Sequence, residues 1–212
     1  IVLSKEYLEN NIWSDLSKLN DDKTSILIDY GGPNIGKSLH VGHLRTLNIG
    51  RSIYRINKIA GNDVTSDIHL GDWGMPVALI LCYIKKMNIE LSTLKHNDLE
   101  TIYPAATELA EDDISFYEEA KNISKKLNEN DEVLKKEWKI IYDVSVKKIN
   151  ELIHKLGHGF DWFYGESDVV KETKLVIDDA KLKNKIVDDN GALLSKEPSD
   201  PPILLTLSLI HI

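Results

Sequence analysis

The residues with the most chemical content lie in one short stretch, GGPNIGKSLHVGHLR, Gly31 to Arg45. Gly31 to Ser38 fits G-x-x-x-x-G-K-[ST], in which backbone N–H groups cradle phosphates and the lysine meets the outer ones. His40 and His43 then stand three apart around Gly42, where a helix begins, so both imidazoles project from nearly one face. A helix N-terminus offers free N–H groups and the positive end of its dipole to phosphate, and Gly42 has no side chain to obstruct a nucleotide lying across it. Both patterns are phosphate chemistry, by different designs.

A phosphate loop would also need a second strand ending in an aspartate that supports magnesium. Asp72 sits instead beyond Gly71 in a Gly-Asp-Trp-Gly loop, and His40 and His43 are left without a role. Zinc is a poor match for the histidine pair, because the glutamate of H-E-x-x-H is missing and the spacing is three rather than four. No metal ligands are therefore assigned. Two exposed helical histidines remain the plain alternative. Asp29 can simply end a strand and Asn34 shape a turn; Trp73 and Trp162 read as packing residues, and Glu166 and Ser167 as helix caps.

The strands and helices around this stretch show in the residue pattern. Thr24 to Tyr30 is a short run of strand formers closed by Gly31-Gly32-Pro33. Ile49, Ile53, Ile56 and Ala60 recur at helical spacing and Gly61 supplies a stop, which predicts a helix from about Leu39 to Ala60. Asp63 to His69 reads as a second strand, Leu70 to Gly74 as its exit loop, and Pro76 to Met87 as a helix with proline in its first turn. This alternation predicts a parallel α/β sheet. Asn97 to Leu156 is charged helical text with a break at Asn128 to Asp131, read as an inserted helical hairpin. Strand text resumes at Phe160 to Phe163, Asp168 to Lys183 forms a helix, and Ile186-Val187 with Ala192 to Leu194 make a hairpin around Asp188 to Gly191.

Composition narrows the function classes. The chain has 212 residues, 42% of them hydrophobic, enough for a substantial core. Cys82 is the only cysteine and lies in apolar helical text, which leaves redox chemistry without support. A net charge of −8 speaks against a broad basic face for DNA, and the lysines between Lys121 and Lys148 alternate with acids as on a solvated helix face. The longest apolar run, Val77 to Ile84, is too short for a bilayer and the start carries no secretory pattern, so the expectation is a cytoplasmic protein with no membrane partner. The chain begins at Ile1 and stops in the apolar stretch Pro201 to Ile212, as a fragment would.

Taken whole, Ile28 to Gly50 resembles the signature region of arginyl-tRNA synthetases: a strand, an acidic residue, Gly-Pro-Asn, a small residue with Lys, and the HIGH-type His-x-Gly-His-Leu-Arg. Gly61 to Gly74, with His69-Leu70-Gly71-Asp72-Trp73-Gly74, resembles the family's second-strand segment, and FDWFYGES, Phe160 to Ser167, its later block. The resemblance runs from about Thr24 to Leu205 and makes the phosphate-loop match a coincidence of Gly36, where the family usually has Ala. It implies a Rossmann-like parallel sheet of a class I catalytic domain with an inserted helical hairpin, truncated at both ends. It further implies ATP-dependent activation of L-arginine and transfer to arginine tRNA, with Mg2+ accompanying ATP, by a longer chain of which this one is a fragment, expected to be inactive alone.

The same resemblance assigns Lys37, His40 and His43 to catalysis, and those three with Gly42 to ATP. Lys37 takes the place of the mobile lysine that many class I enzymes bring from a later loop. Asp29 is assigned to the substrate guanidinium, Gly32, Pro33 and Asn34 to the arginine backbone, and His43 to the border of both ligands. The implied divisions are 1–23 as an N-terminal remnant, 24–96 and 157–206 as catalytic domain, 97–156 as insertion, and 207–212 as an atypical tail that departs from the family's Ser-Asp-Gly turn. Another synthetase or nucleotidyltransferase of the HIGH superfamily, or a catalytically silent RNA-binding paralogue, is the alternative.

Overall fold

Ser25–Asp29, β1, is too short and too rich in Ile and Leu to stand alone, and it pairs in parallel with β2, Asp63–Leu70. The register sets Ser25 opposite Asp63 and Asp29 opposite Asp67. A parallel pair needs a crossover, supplied here by α1, Val41–Ile59. β2 is central in the order β1-β2-β3, where β3 is Trp162–Gly165, and accordingly buries Val64, Ser66, Asp67, Ile68 and Leu70. This computed structural model describes residues 4–7, 23–189, 192–196 and 204–207. Most of the expected 1–23 remnant, the turn residues Asn190 and Gly191, and the tail after Leu207 lie outside them.

The described chain divides into two compact units. The first comprises residues up to Gly31, His40–His69 and His158–Phe163. Here α1 packs through Leu47 and Gly50, its buried residues, and a Cβ at Gly50 would lie 2.1 Å from Tyr30 Cγ. Close approach of the Tyr30 ring therefore requires glycine at that helix position. The periodicity that predicts α1 does not identify its buried stripe: Ile49, Ile53 and Ile56 are exposed. Tyr30 also meets Phe160, with ring centres 4.6 Å apart and the planes tilted by 43°, and Asp161 accepts from the Ser66 N–H and hydroxyl, both at 2.8 Å, fixing the approach to β3.

The second unit comprises Gly32–Leu39, Leu70–Gly157 and the chain from Tyr164 onward. Its core is α2, Met75–Lys86, which carries Pro76 in its first turn and packs against α3, His96–Asp112, and α4, Ile114–Asn128. Cys82 is buried in that core with its thiol on the Phe116 carbonyl, and burial pushes the thiol up to about 11, so it is an inert packing residue. The helical text is divided once more than its hairpin pattern suggests. Besides the expected break before α5, Glu132–Lys155, the chain turns at Asp113, whose carboxylate caps Ser115 N and Phe116 N at 2.9 and 3.2 Å. Helix α6, Val170–Leu182, follows a short 3-10 turn, Glu166–Val169. The hairpin is present as β4, Ile186–Asp189, antiparallel to β5, Ala192–Ser195, and β6, Leu204–Leu207, pairs on the other side of β5.

Candidate functional site

In the first unit, α1 starts with its two histidines capping the helix. His40 is extended (φ −121°, ψ 174°), and its Nδ1 accepts from the Gly42 N–H at 3.1 Å. His43 Nδ1 accepts from the His40 N–H at 3.1 Å, and the rings lie 4.0 Å apart, tilted by 43°. Each Nδ1 is thus committed as an acceptor, which in a neutral ring places the proton on Nε2. Burial, then the neighbouring His40, lowers the His43 pKa below the usual histidine value and favours that neutral ring. The result is a pair of Nε2–H donors held on one helical turn.

Two amides at the start of the helix are already bonded within its first turn. The Gly42 N–H is taken by the His40 ring and the His43 N–H by the His40 carbonyl at 2.9 Å. A Cβ on Gly42 would fall 2.8 Å from His40 Cε1, so Gly42 keeps the cap closed quite apart from any ligand.

Asp29 is exposed at the carboxyl end of β1, in register with Asp67 on β2. Asp67 is buried, one of its oxygens has no hydrogen-bond partner, and its His69 contact is long at 3.9 Å. Burial raises the Asp67 pKa, and the Asp29 charge adds to this. Asp29 closes β1 while Asp67 lies within β2, and two carboxylates side by side on adjacent parallel strands are suited to a cation. Asp67 carries no motif, and only the strand register reveals it.

Gly32, Pro33, Asn34 and Lys37 fall in the second unit, on the loop 32–39. That loop is tied down along its backbone. Gly71 N donates to the Pro33 carbonyl at 3.1 Å, Ile35 N to the Gly71 carbonyl at 3.0 Å, and Gly36 N to the buried Ser145 hydroxyl at 3.0 Å. Gly36 has φ +75°, and a Cβ there would meet Ile80 Cδ1 at 2.3 Å, which explains glycine at this position. A phosphate loop must aim these amides at its ligand, whereas Ile35 and Gly36 have spent theirs inside the protein. The P-loop reading fails on that count.

It fails on Asp72 as well. That side chain is fully buried and accepts from Ser167 N at 2.9 Å and from the Ser167 hydroxyl at 2.6 Å, while its own carbonyl accepts from the Trp138 indole at 2.8 Å. Burial raises the Asp72 pKa against the lowering effect of the Ser167 bonds. Asp72 is a clasp between the β2 exit loop and the turn before α6, rather than a magnesium support. Ser167, read as a possible helix cap, serves this clasp, and Asp168 caps the Gly165 N–H at 2.8 Å. Trp73 packs edge-on against Trp138 at 5.4 Å, the structural part its sequence context suggests.

Lys37 is half-buried with its ammonium 4.1 Å from the centre of the Tyr103 ring on α3. Beside it, Ser38 donates to Glu100 Oε1, and Ser38 Oγ lies 3.1 Å from His96 Nε2. Neither Tyr103, His96 nor Ser145 stands in a recognisable sequence motif.

Comparison with known proteins agrees with these features. Residues 8–198 match the family model for the class I (R) tRNA synthetase catalytic domain. An arginine–tRNA ligase of Fusobacterium nucleatum is 36% identical over 91% of this chain and 37% of the relative, and one of Alkaliphilus oremlandii is 34% identical over 80% and 31%. The chain thus spans about a third of the length of the curated relatives it matches. The crystal structure of arginyl-tRNA synthetase from Plasmodium falciparum superposes over 97% of this chain and 38% of that one, with a TM-score of 0.71 and 28% identity. The Thermus thermophilus arginyl-tRNA synthetase shares the fold, with a TM-score of 0.59 at 22% identity. The histidine-capped helix start, the Gly-Asp-Trp-Gly clasp and the α/β frame therefore have one common explanation: the chain belongs to the class I arginyl-tRNA synthetase catalytic-domain family.

Proposed function

We propose that the intact protein activates L-arginine with ATP and transfers it to arginine tRNA. The observation that carries this reading is the His40–His43 pair, two rings whose Nδ1 atoms are committed to capping and whose Nε2–H groups are left as donors. In the first step an arginine carboxylate oxygen attacks the α-phosphorus in line, the bond to pyrophosphate breaks, and arginyl-adenylate forms. In the second, a ribose hydroxyl at the tRNA terminus attacks the acyl carbon and AMP leaves. No protein nucleophile is needed; positioning and charge stabilisation supply the catalysis.

His40 and His43 donate to the phosphates through Nε2–H, and the Lys37 ammonium meets the charge that grows on the leaving pyrophosphate. Gly42 keeps the surface of the turn open to ATP. Asp29 receives the guanidinium, a planar fork of donors that suits a carboxylate, with Asp67 beside it in register. Gly32, Pro33 and Asn34 line the arginine backbone, and His43 borders both ligands. Mg2+ accompanying ATP would supply further neutralisation of phosphate charge, and no residue of this chain is assigned to hold it. The same reading places the protein in the cytoplasm and treats 24–96 and 157–206 as parts of one catalytic domain around an insertion at 97–156. Among the described residues no helix is long and apolar enough to cross a membrane.

The test is aminoacylation by the intact protein, with labelled arginine and its tRNA. Charging of arginine tRNA, lost without ATP, is expected; charging with a different amino acid, or none at all, would overturn the proposal. Lys37→Ala should lower the rate of arginine activation by about 10²-fold with a smaller change in arginine KM, as for a contact made chiefly in the transition state. An unchanged rate removes Lys37 from the mechanism.

A further inference from the structure

We infer that α3 of the helical insertion is the platform for Lys37, with Tyr103 as a positioning residue that holds the lysine ammonium for its task. The inference rests on the reading of Lys37 as the cation for the ATP phosphates. A lysine side chain is long and rotamer-rich, and holding it in one place costs entropy unless something else restrains it. Two restraints operate here, one on the backbone and one on the side chain.

The backbone restraint brackets Lys37. On one side the Gly36 N–H donates to Ser145 of α5 at 3.0 Å, in a buried setting. On the other, the Ser38 hydroxyl spends its proton on Glu100 of α3, so its oxygen is free to accept from His96 Nε2–H at 3.1 Å. That assignment puts the His96 proton on Nε2 and leaves Nδ1 as a bare lone pair, in keeping with a buried Nδ1 that has no hydrogen-bond partner. Burial also keeps this histidine neutral, lowering its pKa. Residues on both sides of Lys37 are therefore anchored to helices of the insertion, and only its side chain remains to be directed.

Tyr103, two helical turns beyond His96 on the same helix, directs it. Its ring face lies 4.1 Å from the Lys37 ammonium, well inside the range of a cation–π attraction. The ammonium has three N–H donors. A ring engages one side of it and leaves the others for phosphate oxygens, so the restraint and the catalytic contact are compatible. The sequence motif names the lysine; the insertion, which carries no motif, aims it.

The experiment uses the intact protein and steady-state arginine-dependent ATP–pyrophosphate exchange in the presence of arginine tRNA. Tyr103→Leu should lower kcat by about two- to fivefold, the scale of one exposed to half-buried cation–π contact, with little change in the KM for ATP. Tyr103→Phe keeps the ring and should stay close to the parent. On a Lys37→Ala background, Tyr103→Leu should cause no further loss, because the ring then has no ammonium to aim. Circular dichroism and melting of each variant separate these effects from misfolding. A Tyr103→Leu protein with parental kcat, or an equal loss from Tyr103→Leu with and without Lys37, overturns the inference while leaving the role of Lys37 intact. If Lys37→Ala itself is without effect, the underlying reading fails instead, and the two failures are told apart by that single variant.

Discussion

His40 combines a structural duty with a proposed chemical one, on different atoms of one ring. Its Nδ1 closes the start of α1 on the Gly42 N–H, and its Nε2–H is the donor proposed for phosphate. The two can be separated by substitution. His40→Ala should cost about 0.5–2 kcal/mol of stability through the lost cap and also lower arginine activation. His40→Asn restores a side-chain oxygen that caps well, so melting should return toward the parent while activation stays low. Recovery of both together would mean that His40 acts only as a cap. Gly42 shows the same overlap. The sequence suggests that it makes room for a nucleotide, and the structure adds that any side chain there strikes the His40 ring, so a Gly42 variant alone cannot distinguish the two. Asp29 is simpler: Asp29→Ala should raise the arginine KM far more than the ATP KM, and equal changes in both would remove it from guanidinium recognition.

At the scale of the elements, the Asp72 clasp joins segments 95 residues apart, the β2 exit loop and the turn ahead of α6. It leaves no slack. A Cβ on Gly165 would lie 2.5 Å from the Asp72 carboxyl, and one on Gly71 1.9 Å from Asn34 Oδ1. Asp72→Ala strands the Ser167 N–H in a half-buried site and should destabilise the protein by about 1–3 kcal/mol, read as a lowered midpoint in urea. A midpoint unchanged in Asp72→Ala would show that the clasp carries no stability. The elements themselves were largely legible in the sequence, because strand and helix periods, Pro76, Gly61 and the Asp-Asn-Gly turn signals are local. What remained hidden was contact at a distance. Nothing local to α1 shows that Leu47 and Gly50, rather than Ile49, Ile53 and Ile56, are its buried residues; that depends on where Tyr30 sits. The turn at Asp113 is a single capping residue in continuous helical text, too weak a signal to divide a charged segment.

For the molecule as a whole, the motif was readable because its residue types stand at fixed spacing in one short stretch, whereas the contacts that hold that stretch were not. Tyr103, His96 and Ser145 act on the Lys37 loop from helices some 58 to 109 residues away, and no spacing rule connects them. The buried neutral His96 also makes a prediction about pH. Its pKa is lowered chiefly by burial, with Lys148 acting in the same direction and Glu100 and Glu151 against it. In the unfolded chain it titrates near 6.5. The stability from the neutral ring is therefore fully present above about pH 6.5 and is lost as pH falls through that value toward the depressed folded pKa. Amide protection of α3 in the intact protein, corrected for intrinsic exchange, should decline from pH 7.5 to 5.5, and His96→Gln should flatten that decline. A decline of equal steepness in the variant would exclude His96 as its source.

We propose that the intact protein spends ATP on arginine activation rather than on hydrolysis. The most direct measurement is ATP–pyrophosphate exchange by the intact protein with arginine tRNA present, with and without arginine and with lysine as a control. Exchange that requires arginine, is not supported by lysine, and falls by about 10²-fold in Lys37→Ala is the predicted result. Exchange that is indifferent to arginine, or ATP consumption to ADP and phosphate without it, would contradict the claim.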